Sequence, residues 1–223
     1  DVCRHGVLLC AWLNNEVRSL VDEPVAVSVV IDDFMKTRPN LVIPGFGFDI
    51  TIADLFCIRG LPWLNDATMG AFCVFLITYK NNSTVTIPPA KKTPPKKPAK
   101  AEPVLVEQEL QQVRNGLASR QFVLMPINLS GAHWVCLVVN GTSKKIKLID
   151  SMGLKTIAAK TVAALPETCD KIIVNGPPPL QQDGDSCDVF ACLLLWNSVS
   201  IEAPTDVSKS DVTKLRWEFR KRF

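Results

Sequence analysis

The sequence predicts an α+β domain, with strands gathered in the middle of the chain and helices on either side. Two observations carry this. Residues 122–150 hold three β-type runs, Phe122–Leu129, His133–Val139 and Lys145–Asp150, and the last two flank Asn140-Gly141, a dipeptide that suits the positive φ of a tight primed hairpin turn. On either side lie segments of helical spacing or of continuous apolar character. A composition of 47% hydrophobic and 21% charged residues over 223 residues leaves room for a sizeable core and excludes wholesale disorder.

The elements follow in chain order. Residues 1–48 contain a predicted helix near 7–21 and are taken as an N-terminal extension with no assigned role. The main domain is expected over 49–223. Asp49–Ile58 is expected to be extended. A helix is predicted within 63–79, with Asn65 or Asp66 able to cap it and an apolar face running to Tyr79. Residues 88–103 carry six prolines interleaved with five lysines, a composition that buries nothing and favours an extended, solvated insertion. Their two Lys-Lys pairs also fit a nuclear-import patch. Val104–Leu117 has apolar residues at Leu105, Leu110 and Val113, with Gly116 placed as a C-terminal cap. After the three strands, Leu154–Leu165 is expected to be helical and Lys171–Val174 a short strand. Asp188–Val199 should form a buried helix, and Ser210–Arg222 a final helix whose basic end suits the helix dipole.

Charge and cysteine usage narrow the function classes. The formal net charge is +3, of which the Pro/Lys insertion supplies +4, so the remainder is nearly neutral and shows no basic stripe for a phosphate backbone. No nucleic-acid partner is expected. Apolar runs such as Ala71–Ile77 and Val189–Trp196 fall far short of the roughly 18–20 residues that span a membrane. The chain opens on Asp1 rather than Met, as expected of a fragment or a processed product. Eight cysteines form no CxxC pair and several sit inside apolar runs, which predicts a reduced intracellular protein, nuclear or cytoplasmic. Cys3, His5 and Cys10 lack both the spacing and the fourth ligand of a zinc site, so no metal and no cofactor is expected.

The chemistry concentrates in a few residues. His133 opens a strand directly after a Ser-Gly-Ala loop, and Asp150 ends the partner strand across the hairpin. Pairing across the turn brings these open ends together, so a His–Asp contact is geometrically natural. Such a carboxylate holds the imidazole's tautomer and stabilises its protonated form. Cys187 follows a polar, Gly-containing turn and starts the apolar helix. Helix N-termini and a neighbouring imidazolium both favour a thiolate. Gln181 stands six residues before Cys187, where its amide can donate to a developing oxyanion. Cys192 lies inside the apolar run and reads as packing.

In their order, WLND at 63–66, FVLMPINLSGAHW at 122–134, IDS at 149–151 and QQDGDSC at 181–187 resemble the Ulp-type cysteine proteases, the SENP group, which process and remove SUMO and related ubiquitin-like modifiers. The resemblance covers about residues 49–200. It implies a papain-like cysteine protease fold with rearranged chain order, its central mixed β-sheet flanked by helices. It implies Cys187 as nucleophile, His133 as general base, Asp150 as its orienter and Gln181 as oxyanion donor, with Gln182 second for that role. It implies that Trp63 helps form a narrow tunnel over the modifier's Gly-Gly tail, that Asp66 helps hold the tail, and that Trp134 lines the same cleft. Only glycine lets a backbone thread a slot walled by indoles.

Three departures from the family pattern bear on activity: Ser186 and Asp188 flank the nucleophile, Asp183 replaces an Asn in the turn, and the Pro/Lys segment is inserted. A carboxylate beside the sulfur opposes a thiolate, although in a first helical turn it suits the dipole. The expectation is a cysteine isopeptidase or endopeptidase, monomeric, cleaving after the Gly-Gly of a ubiquitin-like modifier, SUMO first. One alternative is a catalytically silent modifier-binding module. The other is an effector-type acetyltransferase using the same triad, against which stand the Trp63 motif and the lack of a basic pocket.

Overall fold

The structure, a computed structural model, describes residues 1–60, 63–77, 84–86, 107–129, 133–152, 170–175, 181, 183–204 and 209–221. The chain divides into two compact units, Asp1–Phe72 with Val207–Phe223, and Cys73–Asp206.

In the first unit, α1 (Val2–Trp12) runs on through a π-helical turn, Leu13–Val17, and a last turn, Arg18–Leu20. The helix predicted near 7–21 therefore starts earlier. A second helix, α2 (Pro24–Lys36), was not anticipated; Pro24 at its first turn is the signal, since its fixed φ suits that position and its missing N–H is not needed there. Two short strands, β1 (Val42–Ile43) and β2 (Ile50–Thr51), pair antiparallel.

The expected extended segment 49–58 is instead this two-residue strand followed by a 3-10 helix, Ile52–Ile58. A capping box explains the change. Asp54 Oδ2 accepts from the backbone N–H of Thr51 at 2.8 Å and from its hydroxyl at 2.7 Å, and Thr51 Oγ1 accepts from the Asp54 N–H at 3.3 Å. Asn65 then caps α3 (Asp66–Leu76) by accepting from the Thr68 N–H at 2.8 Å. The last helix, α6 (Lys209–Arg220), returns to the first unit, where Phe72 and Phe219 meet with ring centroids 4.4 Å apart.

The second unit is built on a five-stranded mixed sheet in the order β3-β4-β5-β6-β7. Its strands are β3 (Thr84–Thr86), β4 (Phe122–Leu129), β5 (His133–Asn140), β6 (Lys145–Asp150) and β7 (Asp170–Asn175). The central pairs are antiparallel, and β3–β4 and β6–β7 are parallel. Leu110 and Val113 of α4 (Glu107–Ser119) pack on alternate residues of the sheet, among them Val123, Met125, Val135, Leu137, Ile146 and Leu148. The period of two along the strands, met by a helical stripe, makes this core.

Gly116 lies buried inside α4 rather than capping it; the helix closes three residues later. The predicted segments at 88–103 and 154–165 lie outside the described residues.

The hairpin expectation meets different chemistry. The hairpin after β5 is a four-residue loop, 141–144, with Asn140 paired to Lys145. Its positive φ falls on Lys144, at 53°, and not on Gly141. Asn140 shapes the loop by accepting from the N–H groups of Thr142 and Ser143, both at 3.0 Å. Gly141 serves close approach: its N–H donates to Gln121 O at 2.8 Å, and an added Cβ would meet Leu117 Cδ2 at 3.4 Å.

The helix α5 (Cys187–Val199) is buried from Cys187 through Trp196, as its unbroken apolar run demands. It packs against β5, where the Cys136 thiol donates to Ala191 O at 3.1 Å. Cys136 and Cys73 behave as core residues, and burial pushes the Cys73 thiol up to about 12. Among the described residues no helix is long and apolar enough to cross a membrane.

Candidate active site

The end of the β5–β6 pair away from the hairpin carries the site. Cys136 pairs with Ile149, so Asp150 falls opposite Val135, diagonal to His133. Diagonal partners lie within reach of long side chains. His133 Nε2 donates to Asp150 Oδ1 at 2.8 Å, and the same oxygen accepts from the Met152 N–H at 2.8 Å. Both side chains are buried, at 6% and 2% exposure. A carboxylate only accepts, so the shared proton resides on Nε2.

The pair sets the imidazole's charge. Burial opposes an imidazolium, but hydrogen bonding and charge from Asp150 and then Cys187 outweigh it, and the His133 pKa rises to about 9. The other ring nitrogen, Nδ1, is buried and makes no closed hydrogen bond among the described residues. It is the ring atom available to the sulfur. After Asp150, Cys187 is the second group that raises the ring's pKa. Cys187 is the first residue of α5 and is itself buried, so its backbone N–H has no acceptor within the helix.

Gln181 comes to the same place with a different set of contacts from those expected. Its N–H donates to Ser151 O at 3.2 Å, and its Oε1 accepts from the Ser151 hydroxyl at 2.8 Å. Its Nε2, the expected oxyanion donor, donates to Asp183 O at 2.7 Å. Gln182 lies outside the described residues. Asp183 organises the turn: Oδ1 accepts from the N–H groups of Asp185 at 2.9 Å and Ser186 at 2.8 Å, and Oδ2 from the Ser186 hydroxyl at 3.0 Å. Burial works against its charge, yet these donors and Gln181 hold its carboxyl below the usual carboxylate range. Ser151 was not among the expected site residues; the signal was its place in the IDS motif. Asp183 was noted only as a departure, although Asp before Gly in a polar turn is a recognised turn former.

Asp188 is fully buried in the first turn of α5, with Oδ1 accepting from the Val189 N–H at 2.8 Å. Trp134 is only 2% exposed, so its indole has little free area to line a cleft. Trp63 is half-buried just before α3, and Asp66 begins that helix. His5 Nδ1 is hydrogen-bonded to Arg59 Nη2 at 3.0 Å, and no set of three potential metal ligands converges among the described residues.

Comparisons with known proteins agree with this architecture. The yeast Ulp1 C-terminal protease domain, solved in complex with Smt3, the yeast ortholog of SUMO, is similar with a TM-score of 0.55 and 22% identity, covering 77% of this chain and 80% of that one. A SUMO protease Ulp1 structure with its catalytic cysteine oxidised to a sulfinic acid gives 0.60 and 20%, covering 87% and 92%. The Ulp1-like SUMO protease catalytic domain of Chaetomium thermophilum gives 0.58 and 14%, covering 86% and 85%. These likenesses show the fold. No curated protein sequence matches significantly. The family described as Ulp1 protease family, C-terminal catalytic domain, matches residues 63–221. That span contains every residue of the buried His–Asp pair, the glutamine turn and the cysteine helix, and the chain belongs to the Ulp1 protease family of cysteine peptidases.

Proposed function

We propose that this peptidase hydrolyses the bond after the C-terminal Gly-Gly of a ubiquitin-like modifier, with SUMO the first candidate, from a precursor or from a conjugate. The observation that carries the reading is the buried His133–Asp150 hydrogen bond of 2.8 Å beside a cysteine that begins a buried helix. Cys187 attacks the carbonyl carbon of the last glycine, and His133 holds the proton that the sulfur gives up. Asp150 keeps the ring's Nε2 protonated and turned, leaving Nδ1 toward the sulfur. His133 then protonates the leaving amine, and on the return it takes a proton from the water that hydrolyses the thioester. The Cys187 N–H is one donor for the oxyanion, and Gln181 is the second once its amide leaves Asp183. Trp63 and Asp66 hold the tail, a role supported by the WLND motif. The protein acts as a monomer in a reduced intracellular setting.

A second reading has its own support. Asp188 is fully buried next to the nucleophile, and the Gln181 amide is committed to Asp183, an arrangement compatible with a module that binds modifiers without turnover. A panel of suicide probes separates the two, each probe being one modifier ending in Gly-Gly with a cysteine-reactive warhead. The expected result is covalent capture of the SUMO probe through Cys187 and none by Cys187→Ala. Tight binding without capture would favour the silent module, and capture through another cysteine would remove Cys187 as nucleophile.

A further inference from the structure

Two parts of the site come from distant stretches of chain. The His–Asp pair closes the β5–β6 ladder, whereas Cys187 opens α5. Productive attack requires the sulfur and the imidazole to keep their placement within a fraction of an ångström, and a 1 Å error costs on the order of 100-fold.

A chain of hydrogen bonds spans the gap. It starts at Ser151, the residue after Asp150, whose carbonyl and hydroxyl grip both the backbone and the side chain of Gln181, at 3.2 and 2.8 Å. Gln181 Nε2 passes the connection to Asp183 O at 2.7 Å. The Asp183 carboxylate carries it to Ser186, taking its N–H at 2.8 Å and its hydroxyl at 3.0 Å. Ser186 is the N-cap of α5, and its side chain makes no cap bond to the helix because Asp183 holds it. Ser186 O in turn accepts from the Phe190 N–H at 3.0 Å, so the first turn of the helix hangs on this residue.

We propose that Asp183 is a positioning residue, which with Gln181 and Ser151 ties the start of the Cys187 helix to the strand end that carries Asp150. In the free enzyme Gln181 is therefore a tether, and Asp183 is the group that it ties to. This rests on Cys187 being the nucleophile. Gly184, in the same turn, has no atom within 4 Å of an added Cβ and is exposed, so it belongs to the turn but not to the tether.

The test compares the parent with Asp183→Ala, Asp183→Asn, Ser151→Ala and Gly184→Ala. Two readouts are taken: the rate of Cys187 alkylation by iodoacetamide at pH 7, located by mass spectrometry, and kcat and KM for a SUMO precursor ending past Gly-Gly. Asp183→Ala should slow alkylation and kcat about 10–100-fold while KM moves less than about threefold, since the loss is of placement and not of tail binding. Asp183→Asn keeps a carbonyl oxygen for the Asp185 and Ser186 N–H groups and should recover to within about threefold of the parent. Ser151→Ala removes a single bond and should slow both several-fold, and Gly184→Ala should match the parent. An Asp183→Ala protein that alkylates at the parent rate, or an Asp183→Asn protein as impaired as Asp183→Ala, would overturn the proposal. Should Asp183→Ala fail to fold, Ser151→Ala decides, and its alkylation at the parent rate would overturn the tether. Alkylation needs no modifier, so failure of the parent to cleave SUMO would count against the substrate reading and leave the positioning result standing.

Discussion

Two ion pairs of the same unit have almost the same length and very different standing. On the outer face of α4, Arg114 Nη1 meets Glu107 Oε1 at 2.6 Å with the side chains 44% and 75% exposed. At the end of the β5–β6 pair, His133 and Asp150 meet at 2.8 Å with 6% and 2% exposed. Water and salt screen the first, and ordering two long side chains offsets much of what remains. Nothing of the kind screens the second, so its carboxylate moves the imidazole's titration to about 9 against the opposing effect of burial. Environment, not distance, decides which pair can do chemistry.

The contrast is broken most severely at the buried end. Asp150→Ala should lower kcat/KM for a Gly-Gly substrate by about 10⁴, the size of loss seen when a triad's orienting carboxylate goes. The imidazole titration of His133, followed by NMR, should fall below about 9 because burial is then opposed by less. A loss under tenfold would place Asp150 outside the mechanism.

A smaller effect appears in stability. The folded His133 pKa of about 9 lies above the ordinary imidazole value of 6.5, so its protonated pair stabilises the fold fully below pH 6.5. That contribution declines as pH rises and is gone above about 9. The melting temperature of the parent minus that of His133→Gln should therefore be greatest in mild acid and shrink through this window, by roughly 10 °C in all for a chain of this size. A difference that stays constant with pH would mean that folding leaves the ring's pKa unchanged.

The smallest effect belongs to the exposed pair. Arg114→Ala should change unfolding free energy by under about 1 kcal/mol, and by less still in 0.5 M salt. Denaturant titration at two salt concentrations measures it. A salt-insensitive loss above 2 kcal/mol would show that Arg114 acts through packing of its aliphatic stem.

The legibility of the chain follows the same division between local and distant causes. The three central strands, the hairpin and the cysteine helix were readable because alternation and an unbroken apolar run state burial directly. The His133–Asp150 contact was readable for a related reason, since a hairpin fixes which strand residues come together. Where local signals competed, the reading slipped. Thr51-Ile-Ala-Asp54 is a capping pattern that turned an apparent strand into a 3-10 helix, and Asn140-Gly141 looked like a primed turn while the loop placed its positive φ on Lys144.

By itself, the sequence determined the α+β class, the three central strand segments and the family, because periodicity and motif spacing are properties of the chain in one dimension. Tertiary structure alone decided what the polar groups do. Gln181 gives its amide to Asp183, Trp134 is buried next to His133, Asp188 is enclosed in the first turn of its helix, and Ser151 joins the same hydrogen-bonded group. Each outcome depends on which donor or acceptor lies within about 3 Å after folding. No periodicity encodes that distance, since it is set by the packing of segments that meet only when the sheet and the helix close together.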